Sequence, residues 1–289
     1  MKPSRSEFHV IRGLRYHVRT WGEADAPALF LLHGWMDVSA SFQFLVDALA
    51  REWRCIAPDW RGFGLSGWNP GPGYWFPDYY ADLEALLDLY QPREPVRLVG
   101  HSMGGVIAST YAGMRPERVA RLASLEGLGL ARHAPEEAPA RFAQWLDQLR
   151  DPPAFRPYRS FDEVAARLRK NNPRLTADKA AFLARHWARE RDDGSVALLS
   201  DPRHKIVNPY LFRIEEAIAC WRRVTAPVLL VSGKLSEIPA RMRETPEGLA
   251  QRKSAFRDRR EAELEDAGHM MHHDQPQRLA RILEDFLAE

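Results

Sequence analysis

The sequence predicts an α/β protein built on a doubly wound, mostly parallel sheet, and three observations predict it. Short β-branched and aliphatic runs alternate along the chain with segments of helical periodicity. His33, Asp59, Ser102 and Glu126 each fall just after such a run, at the carboxyl ends of strands, where this architecture gathers its chemistry. The stretch from Val96 to Tyr111 reads as strand, tight turn and helix, with Gly100-His101-Ser102-Met103-Gly104 at the turn. In that G-x-S-x-G pattern Ser sits on a strained bend, and small neighbours let strand and helix approach closely.

Phe8 to Arg12 and Leu14 to Thr20 flank Gly13 and read as a hairpin at a sheet edge, the second run alternating Tyr16, Val18 and Thr20. Ala28 to Leu32 is an unbroken apolar run, suited to a strand covered on both faces, and it ends in His33-Gly34-Trp35. A helix is expected over Ser41 to Leu49, with Phe42, Leu45, Val46 and Leu49 on one face. Arg54 to Ala57 is the next strand, running into a Gly-rich turn in which Asp59 and Arg61 read as a buried pair bracing the loop. Trp68 to Pro77 is dense in Gly, Pro and aromatics and is expected to be irregular. Asp78 to Tyr90 is an amphipathic helix, and Arg118 to Leu125 a further strand ending in Glu126-Gly127.

The rhythm then breaks. Between Leu128 and Arg223 four helical patterns (Ala140 to Leu149, Phe161 to Lys170, Thr176 to Glu190, Pro209 to Trp221) follow one another with no parallel strand between them. This is the pattern of a helical cap inserted after the sixth strand, with Trp145, Phe182, Trp187 and Tyr210 as its expected core. The rhythm resumes with a strand over Pro227 to Ser232, a short strand over Ala262 to Glu265, the turn Asp266-Ala267-Gly268-His269 and a closing helix from Pro276 to Leu287. The division is therefore 1–127 and 224–289 for the α/β core and 128–223 for the cap.

Composition narrows the function classes. Lys and Arg (41) nearly balance Asp and Glu (39), leaving a formal charge of +2, without the basic excess of a nucleic-acid-binding surface. No apolar run reaches eighteen residues and the first ten carry no apolar leader, so a cytoplasmic protein with no membrane partner is expected. Cys55 and Cys220, the two cysteines, read as buried thiols in a reducing compartment. Neither metal-ligand spacing nor a phosphate-binding Gly-rich motif occurs, and no cofactor is expected.

A serine hydroxyl is a weak nucleophile and needs a base, an acid to orient that base, and donors for the developing oxyanion. The motifs His33-Gly34-Trp35, Asp59-x-Arg61-Gly62-x-Gly64-x-Ser66, Gly100-His101-Ser102-Met103-Gly104-Gly105 and Gly268-His269 stand in an order and spacing that resemble the α/β-hydrolases over essentially the full length of the chain. Serine hydrolase-like proteins and capped bacterial esterases are the groups it looks most like. The resemblance implies Ser102 as nucleophile, His269 rather than His272 or His273 as base, and the backbone N–H groups of Trp35 and Met103 as the oxyanion hole. His33 then reads as a residue that pins its own loop. The acid departs from the common pattern, because Ser236 stands where these proteins usually carry Asp. Glu126, at the end of the sixth strand, and Glu237 are the two replacements. The reading takes Glu126, whose place matches the acid of haloalkane dehalogenases and some small esterases.

The expectation is a cofactor-independent serine hydrolase cleaving a carboxylic ester of a small, largely apolar molecule through an acyl-enzyme. Trp35, Trp68, Tyr74 and Trp75 would help to wall a partly roofed pocket. A thioester or a carbon–carbon bond beside a ketone could be served by the same groups. A binding protein on a degenerate hydrolase scaffold is the non-enzymatic alternative.

Overall fold

The computed structural model describes residues 1–288. Eight strands form one sheet: β1 (Ser4–Ile11), β2 (Leu14–Trp21), β3 (Ala28–Leu32), β4 (Arg54–Pro58), β5 (Val96–His101) and β6 (Val119–Leu125), joined after the insertion by β9 (Val228–Gly233) and β10 (Arg259–Leu264). A separate hairpin, β7 (Ala188–Glu190) with β8 (Val196–Leu198), belongs to the insertion. The main sheet runs β1-β2-β4-β3-β5-β6-β9-β10, antiparallel at β1-β2 and β2-β4 and parallel from β4 onward.

The period of two along β3 assigns the two faces. Phe30 and Leu32 enter a core shared with α2 (Phe76–Tyr90), α3 (Met103–Met114) and α7 (Ile214–Trp221). Leu29 and Leu31 enter a second core with α1 (Gln43–Ala48) and α11 (Pro276–Leu287). Helices on both faces make the sheet doubly wound and account for its unbroken apolar strands.

Between β6 and β9 the chain adds no strand to this sheet. It forms α4 (Ala138–Arg150), α5 (Phe161–Asn171), α6 (Ala177–Trp187), the β7-β8 hairpin and α7. Val164, Leu168, Leu183, Ala184 and Val196 build a third core that reaches the main body through Phe44, with Phe182 and Trp187 packed on it. Tyr210 departs from expectation: it is 65% exposed, against Trp75 and Phe142. The helix expected over Thr176 to Glu190 also stops at Trp187. Asp192-Asp193-Gly194 closes a turn, with Gly194 at φ 77°, and Ala188–Glu190 pair as a strand instead. The first expected helix opens with a 3₁₀ turn over Ser39–Phe42 before α1 begins.

Cys55 is buried, and burial pushes its thiol up to about 12, whereas Cys220 is only half-buried, contrary to expectation. Among the described residues no helix is long and apolar enough to cross a membrane.

Candidate active site

At the end of β5 the chain turns so sharply that Ser102 takes φ 52° and ψ −117°, a conformation L-residues rarely adopt. The turn is held because Ser102 N–H donates to the Leu125 carbonyl at the end of β6 (2.8 Å). The glycines of the motif answer to close contact. A Cβ on Gly100 would stand 2.4 Å from the Gly104 carbonyl oxygen, and one on Gly104 would stand 2.1 Å from the Leu32 carbonyl oxygen. Only a bare backbone lets β5, α3 and β3 meet there. Ser102 is partly exposed, and its Oγ makes no hydrogen bond among the described residues.

His269 lies after β10, two strands along the sheet from β6. Its Nδ1 is 2.7 Å from Oε2 of Glu126. An ionised carboxylate only accepts, so Nδ1 carries the proton and Nε2 presents its lone pair. Glu126 is also at positive φ (52°), and its side chain is 6% exposed against 25% for His269. Three donors converge on that carboxylate: the His269 imidazole and the Ser236 hydroxyl (2.7 Å) at Oε2, and the Gly233 N–H (2.9 Å) at Oε1. Glu237 points elsewhere, 76% exposed and ion-paired with Arg241 (3.2 Å).

Ser236 is the residue whose part the sequence reading missed. The sequence offers it as the position where an acid is absent, whereas its hydroxyl donates to the Glu126 carboxylate that follows the neighbouring strand. A hydroxyl at a strand end was the available signal, and interpreting it requires knowing that β6 and β9 are adjacent.

The loop after β3 abuts the turn. A Cβ on Gly34 would lie 3.2 Å from Ser102 Cβ. Trp35 follows, 50% exposed, and Met36 is at φ 57°. Met103 opens α3, so its N–H is one of the donors a helix start leaves unpaired. Among the described residues neither the Trp35 nor the Met103 N–H has an acceptor. His33 is wholly buried and pins this loop: its Nε2 accepts from Trp60 N–H (2.9 Å), so Nδ1 bears the proton and donates to the Gly34 carbonyl (2.7 Å).

Asp59 and Arg61 do not pair with each other, which corrects the sequence expectation. Arg61 makes a bidentate contact with Asp82 of α2 (2.5 and 2.6 Å). Asp59 accepts from His17 Nδ1 (2.7 Å) and from the N–H groups of Ser39 (2.6 Å) and Leu65 (2.9 Å). Burial alone would raise the Asp59 carboxyl, but the His17 bond and charge hold it well below the usual carboxylate range. Both residues brace the loops beside the site, each through a partner distant in sequence.

The aromatics expected around the site divide. Trp68 is 46% exposed. Tyr74 stacks on His204 of the insertion (3.6 Å between ring centroids) and donates to Asp201 (2.7 Å), tying the Trp68 to Pro77 segment to the insertion. A cavity of about 70 Å³ between core and insertion is lined by Arg19, Ser39, Asp59 and His186 and does not reach Ser102.

These features can be set beside known proteins. A profile described as alpha/beta hydrolase fold matches residues 27–276. The chain is 28% identical to a serine hydrolase-like protein of Danio rerio, over 99% of this chain and 90% of that one. It is 32% identical to a cis-3-alkyl-4-alkyloxetan-2-one decarboxylase of Shewanella oneidensis, over 64% of this chain and 59% of that one. A solved thioesterase domain from the curacin biosynthetic pathway superposes with a TM-score of 0.85 at 24% identity, covering 97% of this chain and 99% of the domain. The chain belongs to the alpha/beta hydrolase fold family.

Proposed function

We propose that this protein is a serine hydrolase that cleaves a carboxylic ester of a small, largely apolar molecule by way of an acyl-enzyme. The observation that carries the reading is the 2.7 Å contact between His269 Nδ1 and Glu126, which leaves Nε2 unprotonated on a loop whose His269 carbonyl accepts from His101 (2.8 Å), the residue before Ser102. In this reading Ser102 Oγ, which has no hydrogen-bond partner among the described residues, rotates to meet Nε2 as substrate arrives, since catalytic hydrogen bonds often tighten only in the complex. His269 takes its proton, Oγ attacks the ester carbonyl, and the Trp35 and Met103 N–H groups hold the oxyanion. His269 next protonates the departing alkoxide and then activates the water that releases the acid. Glu126 stabilises the imidazolium throughout. Residues 128–223 act as a cap that shapes the acyl and alcohol sites, and no cofactor takes part.

The test is labelling with a fluorophosphonate followed by hydrolysis of a p-nitrophenyl ester series. A single adduct on Ser102, absent from Ser102→Ala, together with turnover of short-chain esters, is the expected result. Absence of labelling at neutral pH would favour a binding protein. Labelling without ester turnover would move the substrate to another acyl compound.

A further inference from the structure

Beneath these loops lies a cluster to which the proposed reaction gives no part. Asp37 follows β3, His101 ends β5, and His272 lies in α10 (Met271–Asp274), just past His269. They are 3%, 1% and 0% exposed. One ligating atom from each lies within 4.8 Å of the other two. Asp37 Oδ2, His101 Nδ1 and both ring nitrogens of His272 have no hydrogen-bond partner among the described residues. Buried polar atoms are as a rule paired, so three unpaired ligating atoms together, one from each residue, mark a place that a bound group completes.

The surroundings orient these atoms inward. Asp37 Oδ1 is occupied by the Val38 N–H (2.9 Å) and the Ser41 hydroxyl, which leaves Oδ2 for the cluster. His101 Nε2 donates to the His269 carbonyl (2.8 Å), so the Nδ1 lone pair is the free one. A backbone acceptor of this kind is what fixes the tautomer of a metal-binding imidazole. Gly34 keeps the adjoining space open, since a Cβ there would stand 3.1 Å from His101 Nδ1. His272 Nε2 and Asp37 Oδ2 are 3.8 Å apart, too far for a hydrogen bond. Ligands on a tetrahedral ion with bonds of about 2.0–2.1 Å stand about 3.3 Å apart, so a small inward movement suffices. Two imidazole nitrogens and one carboxylate oxygen suit a borderline divalent transition ion, whereas magnesium and calcium prefer oxygen alone.

We propose that Asp37, His101 and His272 form a binding site for a divalent transition-metal ion such as zinc. The ion clamps together the loop that carries Trp35, the strand end that carries Ser102 and the helix start that follows His269. The site does not depend on the reaction proposed at Ser102.

Chelator-treated protein is titrated with zinc chloride by calorimetry and with cobalt(II) chloride by visible absorption. The expected result is one ion per chain, with the absorption of a low-coordinate cobalt site. His272→Gln and Asp37→Asn should each weaken binding by at least about tenfold, while Ser102→Ala retains it. X-ray absorption on the zinc-loaded wild-type protein, which needs no variant to fold, should show two imidazoles and a carboxylate on the ion. Failure of stoichiometric uptake overturns the proposal. So does uptake unchanged in His272→Gln, and so does uptake lost in His269→Ala but kept in His272→Gln, which would place the ion on the reactive imidazole.

Discussion

Glu126→Gln separates a carboxylate that orients a base from one that merely fills space. Glutamine keeps the shape but turns one of the two oxygens into an NH₂ donor. Oε1 accepts from the Gly233 N–H and Oε2 accepts from His269 and Ser236, so both positions face donors. With NH₂ at the Oε1 position, the Gly233 N–H is left unpaired, at about 1–3 kcal/mol of stability. With NH₂ at the Oε2 position, His269 must accept at Nδ1, which moves its proton to Nε2 and removes the base. Tautomer reversal of that kind in a serine triad costs about 10⁴-fold in kcat. The expected outcome is therefore a kcat about 10³- to 10⁴-fold lower, or about 4–5.5 kcal/mol in the barrier, with KM little changed. Steady-state hydrolysis of p-nitrophenyl acetate measures it, and thermal unfolding reports the stability cost. Glu237→Gln, which loses only an exposed ion pair, should stay within about twofold of wild type. A Glu126→Gln enzyme with more than a tenth of wild-type kcat, or equal losses in both variants, would refute the reasoning.

Ser236→Ala removes one of the donors to Oε2 while leaving the carboxylate in place, and a loss of about 3- to 30-fold in kcat is expected from the same ester assay. Gly104→Ala drives a Cβ to 2.1 Å from the Leu32 carbonyl oxygen; a stability loss of at least about 2 kcal/mol in urea unfolding is expected. His204 is sandwiched between Phe63 and Tyr74, and burial pushes its pKa from 6.5 down to about 3. Below pH 6.5 the unfolded chain binds a proton that the folded one refuses, so stability present above that pH is lost as pH falls toward about 3. The loss from this residue between pH 7 and pH 5 is about 2 kcal/mol. Unfolding of His204→Phe should be less pH-dependent by that amount, and identical slopes in the two proteins would exclude His204 as the source.

Local signals carried the elements and pointed to two members of the proposed triad, Ser102 and His269. The alternation of apolar runs with helical periodicity is a property of neighbouring residues, as is the strand–Gly–x–Ser–x–Gly–helix sequence, and both were readable without coordinates. His269 followed from a Gly-His pair after a short final strand. The three-residue strands of the insertion were hidden because so few residues carry no distinguishable period.

Partner choice lay beyond the sequence. Asp59 and Arg61 are two residues apart, yet they bind His17 of β2 and Asp82 of α2, because strand order and helix placement decide which buried charges meet. The choice between Glu126 and Glu237 had the same character. Both follow strands, and it is the adjacency of β6 and β9, with Glu126 at positive φ, that brings its carboxylate against His269 and Ser236. Chain order determined which residue types were available at the sheet's carboxyl edge. Only the packed sheet decided which of them lie within 3 Å of one another, since hydrogen bonds and ion pairs depend on through-space distance, which separation along the chain does not encode.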